Sequence, residues 1–307
     1  MIYTLTCDPS LDLTILLQRL NPGETHRANN VTMRPGGYGI HISLTLAQLG
    51  ISSTMLGFTA GCTGHELVRL VRALGGTPSF IELHEGSTPI RLLLCAPHQT
   101  KIYAPALTLS PRALSKLENQ LKLLHAGDYL VLSGDVPPCP EPNLYGAILR
   151  NMQSRGVECV VDASAAHLRR VLPYAPFLVK PNCRELGELF QVHLSEAEDI
   201  IFYARRLQAC GARNVLVSMG AQGAILLTEH GEILRAPVPQ GKPIASAGAG
   251  ASMIAGFLSG WLETASYRTA LERAVCAGTA TAQEEWLAGR DAIYALLRQY
   301  RSEGAVL

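Results

Sequence analysis

Two glycine-rich segments, PGGYGI (35–40) and SAGAGASMIAGF (246–257), each run into a helical pattern. Glycines before a helix let backbone N–H groups converge at the positive end of the helix dipole, where phosphate or developing negative charge can sit. Neither segment matches the Walker sequence or the Rossmann fingerprint, and the same glycines could serve only tight turns and close packing. KPNCRE puts Lys180, Asn182 and Glu185 directly after an apolar run, and VSMGAQG puts Ser218, Gly220 and Gly223 after the next one. Alone, each is an ordinary strand exit. Together they form a candidate ligand edge, because polar groups at the carboxyl ends of parallel strands commonly face a ligand. Ala251, which follows Gly250, has no group able to accept a proton.

The elements that must position these residues are legible as alternating patterns. IYTLT (2–6), STMLGF (53–58), YLVLSG (129–134), ECVVDA (158–163), FLVKPN (177–182) and NVLVSMG (214–220) are short β-rich apolar runs separated by helical patterns. That alternation predicts a doubly wound α/β sheet of buried parallel strands. Ile42, Leu46 and Leu49 keep helical spacing up to Gly50, and Leu67, Val71 and Leu74 do so up to Gly75, each glycine being placed as a C-cap. Ser110-Pro111 and the capping box Ser195-x-x-Glu198 are expected to open two further helices. Asp12 to Met33 and Gly86 to Ala106 hold strand-like segments with no helix between them, which predicts a small separate sheet.

Composition narrows the function. The chain has 307 residues, of which 48% are apolar, so it can bury a substantial core. Lys plus Arg (26) nearly cancels Asp plus Glu (25), which leaves no basic field for nucleic acid or an anionic membrane and favours small-molecule ligands. The eight cysteines form no CxxC pair, which argues against a zinc or thioredoxin-like site and fits a reducing cytosol. There is no basic leader and no run of about eighteen apolar residues, so a soluble, unexported, cytoplasmic protein is expected. No repeat or linker divides the chain, and residues 1–307 read as one domain.

In order, MIYTLTCDPSLD, PGGYGIHIS, LSGDVPP, VVDAS, FLVKPNCREL, VLVSMGAQGA and GAGASMIAGFLSG resemble the ribokinase-like carbohydrate kinases of the phosphofructokinase B family. Within it the chain is most similar to the 1-phosphofructokinase and tagatose-6-phosphate kinase branch, over essentially its whole length. The resemblance implies a three-layer α/β/α sandwich with a small β-sheet lid, contributed by about residues 12–33 and 86–106. It implies transfer of a phosphoryl group from ATP, with Mg2+, to a sugar or sugar phosphate, and a homodimer formed through the lid. Lys180, Asn182 and Glu185 match positions near the nucleotide phosphates and magnesium, Asn182 and Glu185 being the metal candidates. Ser218, Gly220 and Gly223 match the nucleotide loop, and Gly248, Ala249 and Gly250 match the anion hole, Gly250 also bordering ATP.

The acceptor side departs from the family pattern. Its proton-accepting aspartate falls on Ala251, its lysine or glycine in PGGxGI on Tyr38, and its sugar-binding asparagine on His41. The phosphate-binding arginine falls on Pro89, with Arg91 two residues along the same strand; a further asparagine falls on Tyr103, and a serine on Asp135. Asp12 and Gly37 are unchanged. Substrate contacts are therefore assigned to Asp12, Gly37, Tyr38, His41, Arg91 and Asp135. The losses at Pro89 and Tyr38 remove positive charge and weaken fructose 1-phosphate and fructose 6-phosphate as acceptors. Two readings remain: a sugar or sugar-phosphate kinase, impaired or retargeted, and an inactive kinase-fold protein that binds nucleotide or another small ligand in a regulatory role.

Overall fold

Short runs that are apolar on both faces form the strands of one central sheet. The structure, a computed structural model, describes residues 1–302. In chain order the strands are β1 (Ile2–Thr6), β2 (Ser10–Leu16), β3 (Asn30–Gly36), β4 (Ser53–Ala60), β5 (Thr77–Pro78), β6 (Ile81–Leu83), β7 (Ile90–Cys95), β8 (Gln99–Tyr103), β9 (Tyr129–Ser133), β10 (Glu158–Asp162), β11 (Leu178–Val179), β12 (Asn214–Ser218), β13 (Ala224–Leu227) and β14 (Ile233–Ala236). The helices are α1 (Tyr38–Gln48), α2 (Gly61–Ala73), α3 (Pro111–Leu121), α4 (Leu144–Gln153), α5 (Ala165–Val171), α6 (Cys183–Phe190), α7 (Ala197–Ala209), α8 (Ala249–Thr264), α9 (Tyr267–Ala282) and α10 (Arg290–Ser302).

The main sheet runs β14-β13-β12-β11-β10-β9-β1-β4-β5, with β6 also on β4. Its pairs are parallel except at β13 and β14, which return antiparallel. Alternate residues of each strand feed two cores: Leu130, Leu132 and Val161 pack with α3 to α7, whereas Val131 and Val160 pack with α1, α8 and α9. The result is a three-layer α/β/α sandwich. No helix among the described residues is long and apolar enough to cross a membrane.

Two expectations change. FLVKPN yields only the two-residue β11, because Pro181 has no N–H for the ladder and the chain turns into α6 at Asn182. The Ser195–Glu198 capping box does not form. The buried face Ile200, Ala204 and Leu207 sets the phase of α7 so that it starts at Ala197 with Glu196 as N-cap, and Glu198 lies 3.5 Å from Arg235 instead. A reciprocal box forms one helix earlier, between Asn182 and Glu185.

A separate four-stranded sheet has the order β3-β2-β7-β8. Its register sets Asp12 opposite Arg34 on one side and Arg91 on the other, with Tyr103 opposite Arg91. Pleating therefore gives one face the polar row Arg34, Asp12, Arg91 and Tyr103. The other face carries Leu13, Ile15, Val31, Met33, Leu92, Leu94 and Ile102, of which Val31, Met33 and Ile102 are exposed.

Candidate active site

The parallel register brings the carboxyl ends of β10 and β11 side by side, so Asp162 and Lys180 meet. Lys180 Nζ lies 3.2 Å from Asp162 Oδ1, and the lysine side chain is only 5% exposed. The same ammonium is 3.1 Å from the point that a Cβ on Gly250 would occupy. Glycine at position 250 thus lets a buried cation approach the first turn of α8.

Asn182 caps α6: its Oδ1 accepts from Glu185 N at 2.9 Å, and Glu185 Oε2 accepts from Asn182 N at 2.9 Å. Burial pushes the Glu185 carboxyl above the usual carboxylate range, against the pull of the Asn182 N–H and of Lys180. Its second oxygen is left for a ligand. No group of three His, Cys, Asp or Glu among the described residues could by itself hold a metal. The donor set fits a magnesium ion that takes one carboxylate oxygen here and the rest of its ligands from phosphate and water. A cleft of about 410 Å³ opens beside Asn182, Ser218 and Gly220. Gly223, with φ +93°, closes that loop where a Cβ would run into the Ala236 carbonyl. A second cleft of about 400 Å³, between α3 and α4, touches none of the residues assigned from the sequence.

Across the strand ends, Gly36 allows close approach of β2, since a Cβ there would overlap Asp12 Oδ1 and Ser10 Oγ. Ser10 Oγ donates to Asp12 Oδ1 at 2.7 Å. Arg91 Nη2 donates to Asp8 Oδ2 at 2.7 Å, and its guanidinium lies 5.5 Å from the Tyr103 ring. Thr6 Oγ1, Asp8 Oδ1 and Ser133 Oγ are buried with no partner, and Thr6 and Ser133 face each other across β1 and β9. Buried polar atoms left unpaired at one sheet edge suit a polar ligand that would satisfy them.

Tyr38 opens α1 after Gly37, whose φ is +125°. Its half-exposed ring is 3.3 Å from the Cβ position of Gly134. Burial raises its phenol, Asp162 and Glu185 raise it further, and Arg91 and Lys180 oppose them, so the residue stands between charges of both sides. His41 Nε2 is 3.0 Å from the Pro35 carbonyl, and its Nδ1 is 3.8 Å from the Cβ position of Gly248. Trp286 meets the imidazole edge-on at 6.0 Å, and the Arg34 guanidinium lies 5.5 Å from the Trp286 ring. Asp135 is exposed on the loop after β9, next to Gly134, and its charge acts on His167 and Tyr145.

Gly248, with φ +83°, is the N-cap of α8, and no side chain caps it. Ala249 N donates to the Ser246 carbonyl at 3.3 Å, which leaves the N–H groups of Gly250 and Ala251 at an open helix start. Below this turn Ser252 Oγ shares hydrogen bonds with Thr281 Oγ1 at 2.8 Å and Thr45 Oγ1 at 3.2 Å. Ala251 is 0% exposed, its methyl inside the apolar cluster that also holds Ile42, Leu46 and Ile254.

The three-layer α/β/α sandwich with its separate small sheet is the ribokinase-like fold. The chain belongs to the pfkB family of carbohydrate kinases, matching it over residues 8–288. It is 33% identical to 1-phosphofructokinase of Bacillus subtilis over 301 residues, 98% of this chain and 99% of that protein. It is 31% identical to D-tagatose-1-phosphate kinase of Bacillus licheniformis over 284 residues, 92% of each chain. Phosphofructokinase-2 of Escherichia coli, solved in complex with substrates and products, superimposes with a TM-score of 0.91 at 28% identity, covering 98% of this chain and 99% of that one. Kinases of this family are ATP-dependent and use Mg2+.

Sequence reading missed Arg34, Trp286 and the individual roles of Asp8 and Asp162. Arg34 could have been found from period-2 alternation back from Gly36. Trp286 carries no local signal, because its neighbours come from residues some 250 positions away.

Proposed function

We propose that the protein transfers the γ-phosphoryl group of ATP to a hydroxyl of a phosphorylated ketohexose, as the names of its relatives suggest. The observation that carries this reading is that the first turn of α8 is met from two sides: by Lys180 Nζ at Gly250 and by His41 Nδ1 at Gly248. Donor and acceptor chemistry thus share one anion-binding turn. In this reading Gly248, Ala249 and Gly250 stabilise charge on the transferring group through their backbone, and Lys180 supplies a buried cation beside it. Ser218, Gly220 and Gly223 line the nucleotide, while Asn182 and Glu185 orient its magnesium. The bound MgATP supplies the electrophilic phosphorus and part of the charge neutralisation.

Asp12, Gly37, Tyr38 and Arg91 hold the acceptor, with Asp135 at the outer rim. Pro89 and Tyr38 suggested from sequence that cationic charge was lost there, but Arg34 and Arg91 flank Asp12 on the same face, which favours a phosphorylated acceptor. ADP release measured across phosphorylated and free ketoses and nucleosides tests this: phosphorylated ketohexoses are expected to have the highest kcat/KM. Ala251 favours a second reading, a nucleotide-binding protein without turnover. ATP binding with no ADP release from any acceptor would select it.

The apolar face of the small sheet supports the homodimer, two such faces covering each other as lids. A solution mass of twice 33.0 kDa is expected, and Met33→Lys with Ile102→Lys should shift it to one chain. A monomer at micromolar concentration before substitution contradicts the dimer. All eight cysteines are free, which supports a cytosolic location.

A further inference from the structure

Position 251 carries only a methyl group, so an acceptor hydroxyl at the start of α8 must lose its proton elsewhere. Lys180 touches this turn, but an ammonium has donors only. His41 approaches it from the acceptor side, with Nδ1 3.8 Å from the Cβ position of Gly248, where Leu287 Cδ2 and Thr281 Cγ2 stand nearer at 2.8 and 3.5 Å. The opposite ring nitrogen, Nε2, is 3.0 Å from the Pro35 carbonyl oxygen. A carbonyl can only accept, so Nε2 bears the hydrogen, and Nδ1, the ring nitrogen near Gly248, keeps a free lone pair. The edge-on contact with Trp286 restrains the ring in that orientation.

We propose that His41 Nδ1 is the proton acceptor of the phosphoryl-transfer step. The proposal rests on the kinase reading above. The acceptor oxygen forms a bond to the γ-phosphorus while the bond from that phosphorus to the bridging oxygen breaks. The electron pair of the broken bond leaves with ADP, the hydroxyl proton passes to Nδ1, and the imidazolium then returns it to water.

The surroundings keep the ring in the form a base requires. Burial disfavours the charged ring and is the largest effect, and Arg91 on β7 acts in the same direction. Asp12 on β2 and the Pro35 carbonyl on β3 oppose it, while Trp286, in the loop after α9, brings no charge of its own and stands against Arg34. The net direction is downward from the ordinary imidazole value of about 6.5, so His41 is neutral near pH 7. Activity should therefore fall only on the acid side, as Nδ1 gains a proton.

His41→Asn keeps an amide able to donate to Pro35 but accepts no proton. It should lower kcat about a hundredfold, leave the KM for ATP within about twofold, and remove the acid limb of the pH–rate profile. Thermal unfolding with and without MgATP checks that His41→Asn folds and binds nucleotide, and His41→Gln replaces it if it does not fold. Nitrogen-15 spectra of the unsubstituted protein near pH 7 should show the Nε2–H tautomer. A kcat for His41→Asn within about threefold of the original, an unchanged acid limb, or an Nδ1–H tautomer overturns the proposal and leaves the kinase reading standing. Absence of phosphoryl transfer by the unsubstituted protein overturns both.

Discussion

Replacing Lys180 by methionine should reduce phosphoryl transfer about a thousandfold, since it removes a fixed charge beside the transferring group. It should also lower folding stability by about 3 kcal/mol, because Asp162 then stays buried without a counter-charge. The first effect follows from position: Nζ stands 3.1 Å from the Cβ point of Gly250, at the open end of α8. The second follows from burial, with the side chains of Lys180 and Asp162 exposed by only 5% and 11%. The double variant Lys180→Met with Asp162→Asn separates them. It should restore stability to within about 1 kcal/mol while the rate stays low, since the buried charge is gone but the cation is still missing. Urea unfolding and kcat on the same samples check both. A Lys180→Met protein that keeps more than about a tenth of the rate would remove this lysine from the machinery.

Replacing Arg91 by alanine should cut kcat/KM for a phosphorylated acceptor about a hundredfold, mostly through KM, and leave the KM for ATP unchanged. Asp8 takes one of its five donors and holds the guanidinium on the polar face beside Asp12, so donors remain for a phosphate. An unphosphorylated ketose should lose little. Arg91→Lys should recover only part of the loss, because a point charge does not reproduce the planar fork. Equal losses for phosphorylated and free sugars would mean that Arg91 supports the fold of the small sheet rather than recognising phosphate.

The layers of the fold were legible because strands buried on both faces read as continuous apolar runs, as in YLVLS and ECVVD. The small sheet was legible by contrast, as two stretches without helical spacing. The short antiparallel returns β13 and β14, by contrast, resemble any apolar segment. Capping patterns show the limit of local reading. Ser195-x-x-Glu198 and Asn182-x-x-Glu185 look alike, yet only the second forms, because the buried face of each helix sets where it starts. At the site, glycine turns and polar strand exits could be read from neighbours in sequence. The contacts of Lys180 with Asp162, and of Arg34 with Trp286, depend on sheet register and on a chain separated by many residues. The exposure of Asp135 depends on how the loop after β9 turns, and nothing in LSGDVPP specifies that.

Phosphorus-31 NMR of the purified protein with MgATP and fructose 1-phosphate or tagatose 1-phosphate follows donor and acceptor in one spectrum. ATP is expected to be converted to ADP while a second phosphomonoester resonance of equal area grows on the sugar. An unchanged spectrum with both sugars in the presence of saturating MgATP, or conversion of ATP to ADP and inorganic phosphate alone, would contradict this expectation.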